Sequence, residues 1–298
     1  MNKANKWGAK LTESQTGFLL VLPALLVFSF IILYPFINSV MMSFTDQSLL
    51  KPDRSFVGLD NYVRLFSNPE FLGTLKNTFV FVLFGTLVPF VLGLIWAIIL
   101  NQGFRGSEFL RGLTLVNWIL PSTAISFLWM WIFNAHFGLF NGFLKNIGLI
   151  NENITWLGQM KTAMLIVIIA KTWSTLPWFM AFLLGGLQGV SKDQIEASRI
   201  DGAGNWQVFR HVVVPEMKFV TSLVLILGFI GSLQHFDLLY VMTGGGPARA
   251  TTTLSVEVYN YAFKSWRMGV SASIGTIWIL LLSVLGYFYI RSQKDDLN

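Results

Sequence analysis

The sequence has 298 residues, of which 54% are hydrophobic, 15% aromatic and only 12% charged. Soluble globular proteins carry about 25% charged residues, so this composition excludes an ordinary soluble domain and indicates an integral membrane protein. The formal net charge of +6 includes no dense Lys/Arg run, which argues against a nucleic-acid-binding protein. There is no cysteine, which excludes disulfides, thiolate metal sites and cysteine nucleophiles.

The apolar residues occur in continuous runs of about twenty or more, which is typical of membrane-spanning helices and not of alternating β-barrel strands. Helices satisfy their own backbone hydrogen bonds inside lipid. We therefore predict one all-α membrane domain over residues 1–298. Its six predicted spans are about 17–42, 78–100, 113–133, 162–187, 219–242 and 269–290.

The first run is too long for a signal-peptide core and lacks a small-residue cleavage site, so we interpret it as a retained span. Lys3, Lys6 and Lys10 precede it. Because basic residues near span ends favour the cytoplasmic side, and the predicted number of spans is even, we expect both termini in the cytoplasm.

Catalytic or metal-binding residues are not expected in this chain. His136, His211 and His235 lie in different segments and do not have the spacing of metal ligands. No GxxxxGK[ST] phosphate-binding loop occurs either. We therefore expect no cofactor, and any energy from ATP must come from another chain.

The loop between the fourth and fifth runs, residues 189–218, is rich in charge and glycine. Ala197 and Ser198 are small enough for a helix to pack closely on a partner, and Gly202 can end that helix at low steric cost. We predict a helix, a glycine turn and a second helix. A solvated connecting loop explains the same residues equally well on physical grounds alone.

The pattern within this loop has ordered spacing and is formed by Glu196, Ala197, Ser198, Asp201, Gly202, Ala203, Phe209 and Pro215. It closely resembles the EAA loop of the membrane subunits of binding-protein-dependent ABC importers, in which a short helix docks into the ATPase subunit. Three positions depart conservatively from the usual pattern. Ser198 replaces an alanine, and Val212 and Val214 replace isoleucine and leucine.

Two further segments resemble the carbohydrate-uptake branch of these permeases. The first is FVGLDNY at 56–62, followed by Leu65-Phe66 and Asn77-Thr78. The second comprises Phe236-Asp237, Gly245-Gly246-Pro247, Thr252-Thr253-Leu254, Tyr259 and Tyr261-Ala262-Phe263. The three motifs occur in order and cover most of the chain after residue 56.

The resemblance implies a type I ABC importer permease fold with six transmembrane helices. It also implies ATP-driven uptake of a carbohydrate, an oligosaccharide or related polyol, across a bacterial or archaeal cytoplasmic membrane by alternating access. The expected partners are a second similar permease chain, ATPase subunits, an extracytoplasmic solute-binding protein and membrane lipid. ATPase coupling is assigned by the resemblance to Glu196, Ala197, Ser198, Asp201, Gly202, Ala203 and Pro215.

Two charged residues fall inside predicted spans: Lys171 in the fourth and Asp237 in the fifth. Each costs about 2.5 to 3.5 kcal/mol if it faces lipid at mid-bilayer, so both are expected to face the helix bundle. Sugars bind through hydrogen bonds to polar groups and through contacts with aromatic rings. Helical spacing and chemistry together suggest a set of solute contacts: Lys171, Ser174, Thr175, Trp178, Gln234, His235 and Asp237.

Alternatives remain at this stage. Lys171 and Asp237 could instead form an ion pair that joins two helices. An ion-coupled secondary transporter would also place charges in the membrane, but it would not need an EAA loop. A membrane scaffold would need no solute-binding face at all.

Overall fold

The computed structural model describes residues 12–51 and 53–295. The lysines at positions 3, 6 and 10, on which the predicted orientation partly depends, lie outside the described residues. Within them, the regular elements are helices, and a single isolated bridge pairs Thr45 with Phe56. The predicted all-α fold class is confirmed.

The helices are numbered in chain order. They are α1 Glu13–Met42, α2 Asp60–Phe66, α3 Pro69–Asn101, α4 Ser107–Ile119, α5 Ser122–Ile132, α6 Leu139–Asn146, α7 Met160–Gln188, α8 Lys192–Ile200, α9 Asn205–Glu216, α10 Lys218–Leu233, α11 Asp237–Thr243, α12 Leu254–Tyr259 and α13 Met268–Asp295.

Four helices of the described chain are long and apolar enough to cross a membrane by themselves: α1, α3, α7 and α13. They correspond to the first, second, fourth and sixth predicted runs. Helix α3 begins at Pro69, where Asn68 caps it through a 3.0 Å hydrogen bond from the backbone N–H of Glu70. Helix α7 continues through Pro177 without a break.

The third predicted span, 113–133, is not one straight helix. Helices α4 and α5 meet at an angle of 99°. The break lies at Leu120, which has an extended backbone because the ring of Pro121 disfavours a helical conformation in the preceding residue. Counting each bent pair as one span gives up to six spans in the described residues.

The fifth predicted span, 219–242, is also interrupted. Helix α10 ends at Leu233, and α11 begins only at Asp237. The prediction that Gln234 and Asp237 share one helical face is therefore wrong. The hydroxyl of Ser255 donates a 2.9 Å hydrogen bond to the carbonyl of His235, which satisfies one of the backbone groups released by the break.

Helices α3, α7 and α10 pack closely because glycines remove side-chain bulk at their contacts. A Cβ atom on Gly93 would lie 2.8 Å from the Cβ of Phe179 and 3.0 Å from the backbone nitrogen of Met180. A Cβ atom on Gly228 would lie 2.7 Å from Cζ of the same Phe179 ring. Phe179 is thus held between two glycines in the core.

We predict that Gly93→Ala lowers the free energy of unfolding by about 1 to 3 kcal/mol, because the methyl group overlaps the α7 backbone, which cannot easily move. Thermal unfolding of the purified protein in detergent measures this. Gly73→Ala on the same helix is the matched control, since nothing lies within 4 Å of its added Cβ. Equal melting temperatures for the two variants would contradict the predicted overlap.

Candidate coupling hairpin and solute path

Helices α8 and α9 form a hairpin, called here the coupling hairpin, around a left-handed turn. The N–H of Asp201 donates to the carbonyl of Ala197 at 3.1 Å, and the N–H of Ala203 donates to that of Ser198 at 3.0 Å. Gly202 has φ +87°, and a Cβ there would meet nothing within 4 Å. Backbone conformation, not lack of space, therefore requires glycine at this turn.

The hairpin surface exposes both charge and large apolar side chains. Glu196 and Ala197 are exposed, while Ile200 and Trp206 are 87% and 68% exposed. Apolar groups grouped on a polar loop are typical of a protein interaction surface. The sequence interpretation missed Ile200 and Trp206, although two large apolar residues inside an otherwise polar loop could have suggested them.

The second arm of the hairpin leads directly into the membrane helix α10. Pro215 lies in the last turn of α9, just before the 68° bend between α9 and α10. The side-chain carbonyl of Gln207 accepts a 2.8 Å hydrogen bond from the N–H of Gly204 at the start of this arm. Met217, at the bend, is buried in the core formed with α7. The hairpin is therefore continuous with α10 and packed against α7 through Met217.

Four of the predicted solute-contact residues lie on α7, and Lys171 is the most deeply buried of them. Its side chain is buried at 5% exposure. The hydroxyls of Ser174 and Thr175 donate to the Lys171 carbonyl at 2.9 and 2.8 Å, so each remains available mainly as an acceptor. Trp178 is half-buried, with its ring centroid 4.9 Å from that of Phe182.

Lys171 lies beside the break that follows α10. A Cβ on Gly85 would lie 3.6 Å from Cγ of Lys171 and 4.0 Å from Oγ of Ser232, so both side chains border the same glycine. Phe81, one turn earlier on α3, stacks on the His235 ring with centroids 6.2 Å apart. The structure thus brings α3, α7 and the break together, and it adds Ser232, which the sequence interpretation missed.

The polar groups of this region are only partly paired. The hydroxyl of Thr86 donates to Oγ of Ser232 at 2.9 Å. Among the described residues, Nε2 of His235 is buried without a hydrogen-bond partner. No ion pair within 4.0 Å joins Lys171 to Asp237, two residues that the structure describes in full. The hypothesis of a Lys171–Asp237 ion pair is therefore not supported.

The predicted solute contacts consequently fall into two groups. The first group is interior and consists of the four α7 residues together with half-buried His235. Gln234 and Asp237 form the second group and are exposed. Gln234 and His235 both lie in the break at residues 234–236, so the exposed and the interior group adjoin there.

The end of the bundle opposite the coupling hairpin is closed by the segment 244–253. The side-chain amide of Asn77 on α3 donates to the carbonyls of Arg249 and Thr252 at 2.9 and 3.2 Å. The hydroxyl of Thr78 accepts a 2.9 Å hydrogen bond from the N–H of Leu254. Two of the motifs singled out in the sequence are therefore in direct contact.

An ion pair between half-exposed Arg249 and buried Glu257 fixes the same segment. Nη2 of Arg249 lies 2.5 Å from Oε1 of Glu257, whose side chain is 2% exposed, and Arg249 also approaches Glu70 at 3.7 Å. Burial raises the pKa of the neighbouring Tyr261, and the Glu257 carboxylate raises this pKa further. The side chains of α3 and α12 are thus joined through Arg249.

Comparison with known proteins identifies the family. Residues 89–294 match the sequence model described as the binding-protein-dependent transport system inner membrane component. The chain belongs to this family. The match includes α7, the coupling hairpin and α10, which are the elements that carry the candidate coupling and solute-path residues.

Named relatives are similar along nearly their whole length. The trehalose/maltose transport system permease protein MalF of Thermococcus litoralis is 34% identical over 288 residues, covering 96% of this chain and 97% of the relative. The lactose transport system permease protein LacF of Rhizobium radiobacter is 32% identical over 284 residues, covering 94% of each chain.

Solved structures show the same fold. A chain of a bacterial ABC transporter involved in the import of the acidic polysaccharide alginate superimposes with a TM-score of 0.79 at 18% identity, covering 93% of this chain and 95% of that one. The importer permease fold expected from the sequence is confirmed. The chain is accordingly a multi-pass membrane protein.

Proposed function

We propose that this chain is one permease half of an ATP-driven importer that moves a carbohydrate, an oligosaccharide or related polyol, into a bacterial or archaeal cell by alternating access. The coupling hairpin is the observation that carries the proposal. Its Gly202 turn places Glu196 and the apolar Ile200 and Trp206 at the surface, where a separate ATPase subunit can bind. Relatives whose names state trehalose/maltose and lactose transport support a sugar as the solute.

The expected partners follow from the same arrangement. An open hairpin with no nucleotide site of its own needs ATPase subunits, and half a pore needs a second similar permease chain. A solved relative of the same fold is described in complex with a pentasaccharide-bound periplasmic protein, which supports an extracytoplasmic solute-binding protein here. The coupling hairpin and both termini would then lie in the cytoplasm.

The interior group around Lys171 is proposed to line the solute path. Within the described residues Lys171 forms no ion pair. A buried lysine of this kind, next to His235 with its unpaired Nε2, is costly in a membrane protein unless it serves a polar pathway. Irregular backbone at membrane depth is tolerated where it is buried in protein or lines a water-filled cavity, and solute sites in transporters often form at broken helices. The break after α10 meets this description.

The function is tested by reconstituting the chain with its permease partner, ATPase and binding protein in lipid vesicles. Uptake of labelled maltose, trehalose and lactose is measured with and without ATP. We expect uptake of at least one sugar that requires ATP and the binding protein. Uptake driven by an ion gradient without ATP would instead show a secondary transporter, and a complex that takes up none of a broader sugar panel would reject the proposal.

We predict that Trp178→Ala and Gln234→Ala each lower the ATP-driven uptake rate about two- to ten-fold, since one aromatic or polar solute contact is lost. Complex assembly should be unchanged. Trp131→Ala is the matched control, because this residue is 48% exposed on α5 and outside the proposed path. Uptake at the wild-type rate in both variants would show that Trp178 and Gln234 do not contact the solute.

A further inference from the structure

Four aromatic rings form a continuous surface at the end of the bundle opposite the coupling hairpin. This outer aromatic face consists of Phe236, Tyr240, Tyr259 and Phe263. The Phe236 and Tyr240 rings stack with centroids 5.0 Å apart, and Tyr240 lies 4.6 Å from Tyr259. Phe263 extends the surface at 5.1 Å from Tyr259.

The rings are held firmly on one side and are accessible on the other. Phe236 and Tyr240 pack against the core around Leu238 and Leu239, which are both fully buried. Phe236, Tyr240 and Tyr259 nevertheless remain partly exposed, and Phe263 is 59% exposed. A rigid, partly exposed ring surface loses little conformational entropy when a ligand binds to it.

Charged groups border the aromatic face. Asp237 is exposed one turn before Tyr240 on α11, so the two side chains lie on the same side of the helix. The ammonium group of Lys264 lies 5.2 Å from the centroid of the Tyr240 ring. A hydrogen bond with Tyr240 raises the pKa of Tyr259, in keeping with the 4.6 Å between the two ring centroids.

We propose that the outer aromatic face is a carbohydrate contact site that receives a pyranose ring of the solute before it reaches the path around Lys171. The apolar C–H face of a pyranose packs on aromatic rings, and its hydroxyls donate to a carboxylate such as Asp237. The combination of partly exposed rings with an exposed carboxylate on the same helix fits this ligand class. The inference rests on the proposed import function.

The position of the face agrees with an entry site. Helix α10 leads away from the coupling hairpin, and its 16 residues rise about 24 Å before the break at residue 234. The aromatic face therefore lies on the side where the proposed solute-binding protein would deliver its sugar. Gln234, exposed at the break, precedes His235 of the interior group and Phe236 of the aromatic face in the chain.

The test measures sugar binding directly, using the whole complex in detergent without the binding protein. Dissociation constants for maltose, trehalose and lactose are determined by isothermal titration calorimetry. Tyr259→Leu and Asp237→Asn should each raise the dissociation constant of the bound sugar about two- to ten-fold. Tyr259→Phe, which keeps the ring, should remain closer to the wild type than Tyr259→Leu.

Matched controls come from other exposed outer positions: Phe137→Leu, at a site that is 67% exposed, and Asp53→Asn. Both should bind sugar as the wild type does. Wild-type sugar affinity in assembled Tyr259→Leu and Asp237→Asn complexes would contradict the proposed site. The site would also be contradicted by a wild-type complex that imports a sugar but binds none of maltose, trehalose and lactose. If Tyr259→Leu does not assemble, exposed Asp237→Asn decides alone. Failure of the import function is distinguishable, because no ATP-driven uptake would then occur.

Discussion

Replacing Arg249 by alanine is expected to lower the free energy of unfolding by about 1 to 3 kcal/mol, because the buried Glu257 carboxylate loses its partner. Glu257 is only 2% exposed on its side chain, and its 2.5 Å contact with Arg249 is its ion pair in the described chain. The Arg249 side chain is 36% exposed, so water reaching this position offsets part of the loss. The loss should appear as a lower melting temperature in detergent and as poorer packing of the segment 244–253.

The matched control is Arg64→Ala. Arg64 pairs with Asp60 at 2.7 Å, but the two side chains are 70% and 51% exposed, so removing this pair should change stability by no more than about 1 kcal/mol. Adding Glu257→Gln to Arg249→Ala should restore part of the stability, because the uncompensated charge is removed. If Arg249→Ala and Arg64→Ala unfold at the same temperature, the pair of Arg249 with Glu257 does not stabilise the fold as argued.

The second large effect is expected at the coupling hairpin, where Gly202→Ala should abolish coupled transport. A side chain at φ +87° costs about 1 to 2 kcal/mol, and a short solvent-exposed turn can avoid that cost by changing shape. The docking surface of Glu196, Ile200 and Trp206 would then be displaced. Co-purification of the ATPase subunit and ATP-driven uptake should both be lost, whereas the membrane helices should remain folded.

Gly204→Ala is the control for this variant. Gly204 has φ −71°, and its added Cβ would lie 3.7 Å from Oε1 of Gln207, an ordinary contact. Its ATPase binding should therefore equal that of the wild type. Normal ATPase binding by Gly202→Ala as well would show that the turn conformation is not needed for docking.

Charge reversal tests the same surface without altering its backbone. Glu196 is exposed, so Glu196→Lys should fold normally but oppose the basic ATPase surface that the family resemblance implies. We expect ATP hydrolysis to continue without sugar uptake. Gln194→Lys also introduces a lysine, at an exposed position of α8 outside the motif, and should remain coupled. Coupled uptake by Glu196→Lys would exclude this role for Glu196.

Much of the fold could be predicted because a bilayer imposes one simple requirement on sequence. A helix that crosses lipid needs about twenty apolar residues, so α1, α3, α7 and α13 are visible as continuous runs. The hairpin turn could be predicted because a left-handed residue strongly favours glycine, and Gly202 is present at the required position. Both requirements concern residues that are neighbours in the chain, so they can be recognised in the sequence.

The breaks in the helices were harder to predict because the sequence remains largely apolar through them. Pro121 offered a signal for the bend between α4 and α5, since a residue before proline avoids the helical conformation. Residues 234–236 carry no comparable signal. Their departure from the helix depends on contacts such as the hydrogen bond from Ser255, which lies 20 residues away.

The sequence by itself determined that this is an all-helical membrane protein with a glycine turn at residue 202, because hydrophobic length and glycine placement are properties of neighbouring residues. Only the tertiary structure decided which distant side chains meet. Tyr240 and Tyr259 form one aromatic face, Arg249 reaches Glu70, and Lys171 lies beside Gly85. Such contacts depend on how whole helices pack, since the free energy of burying a polar or aromatic group is set by its neighbours in space.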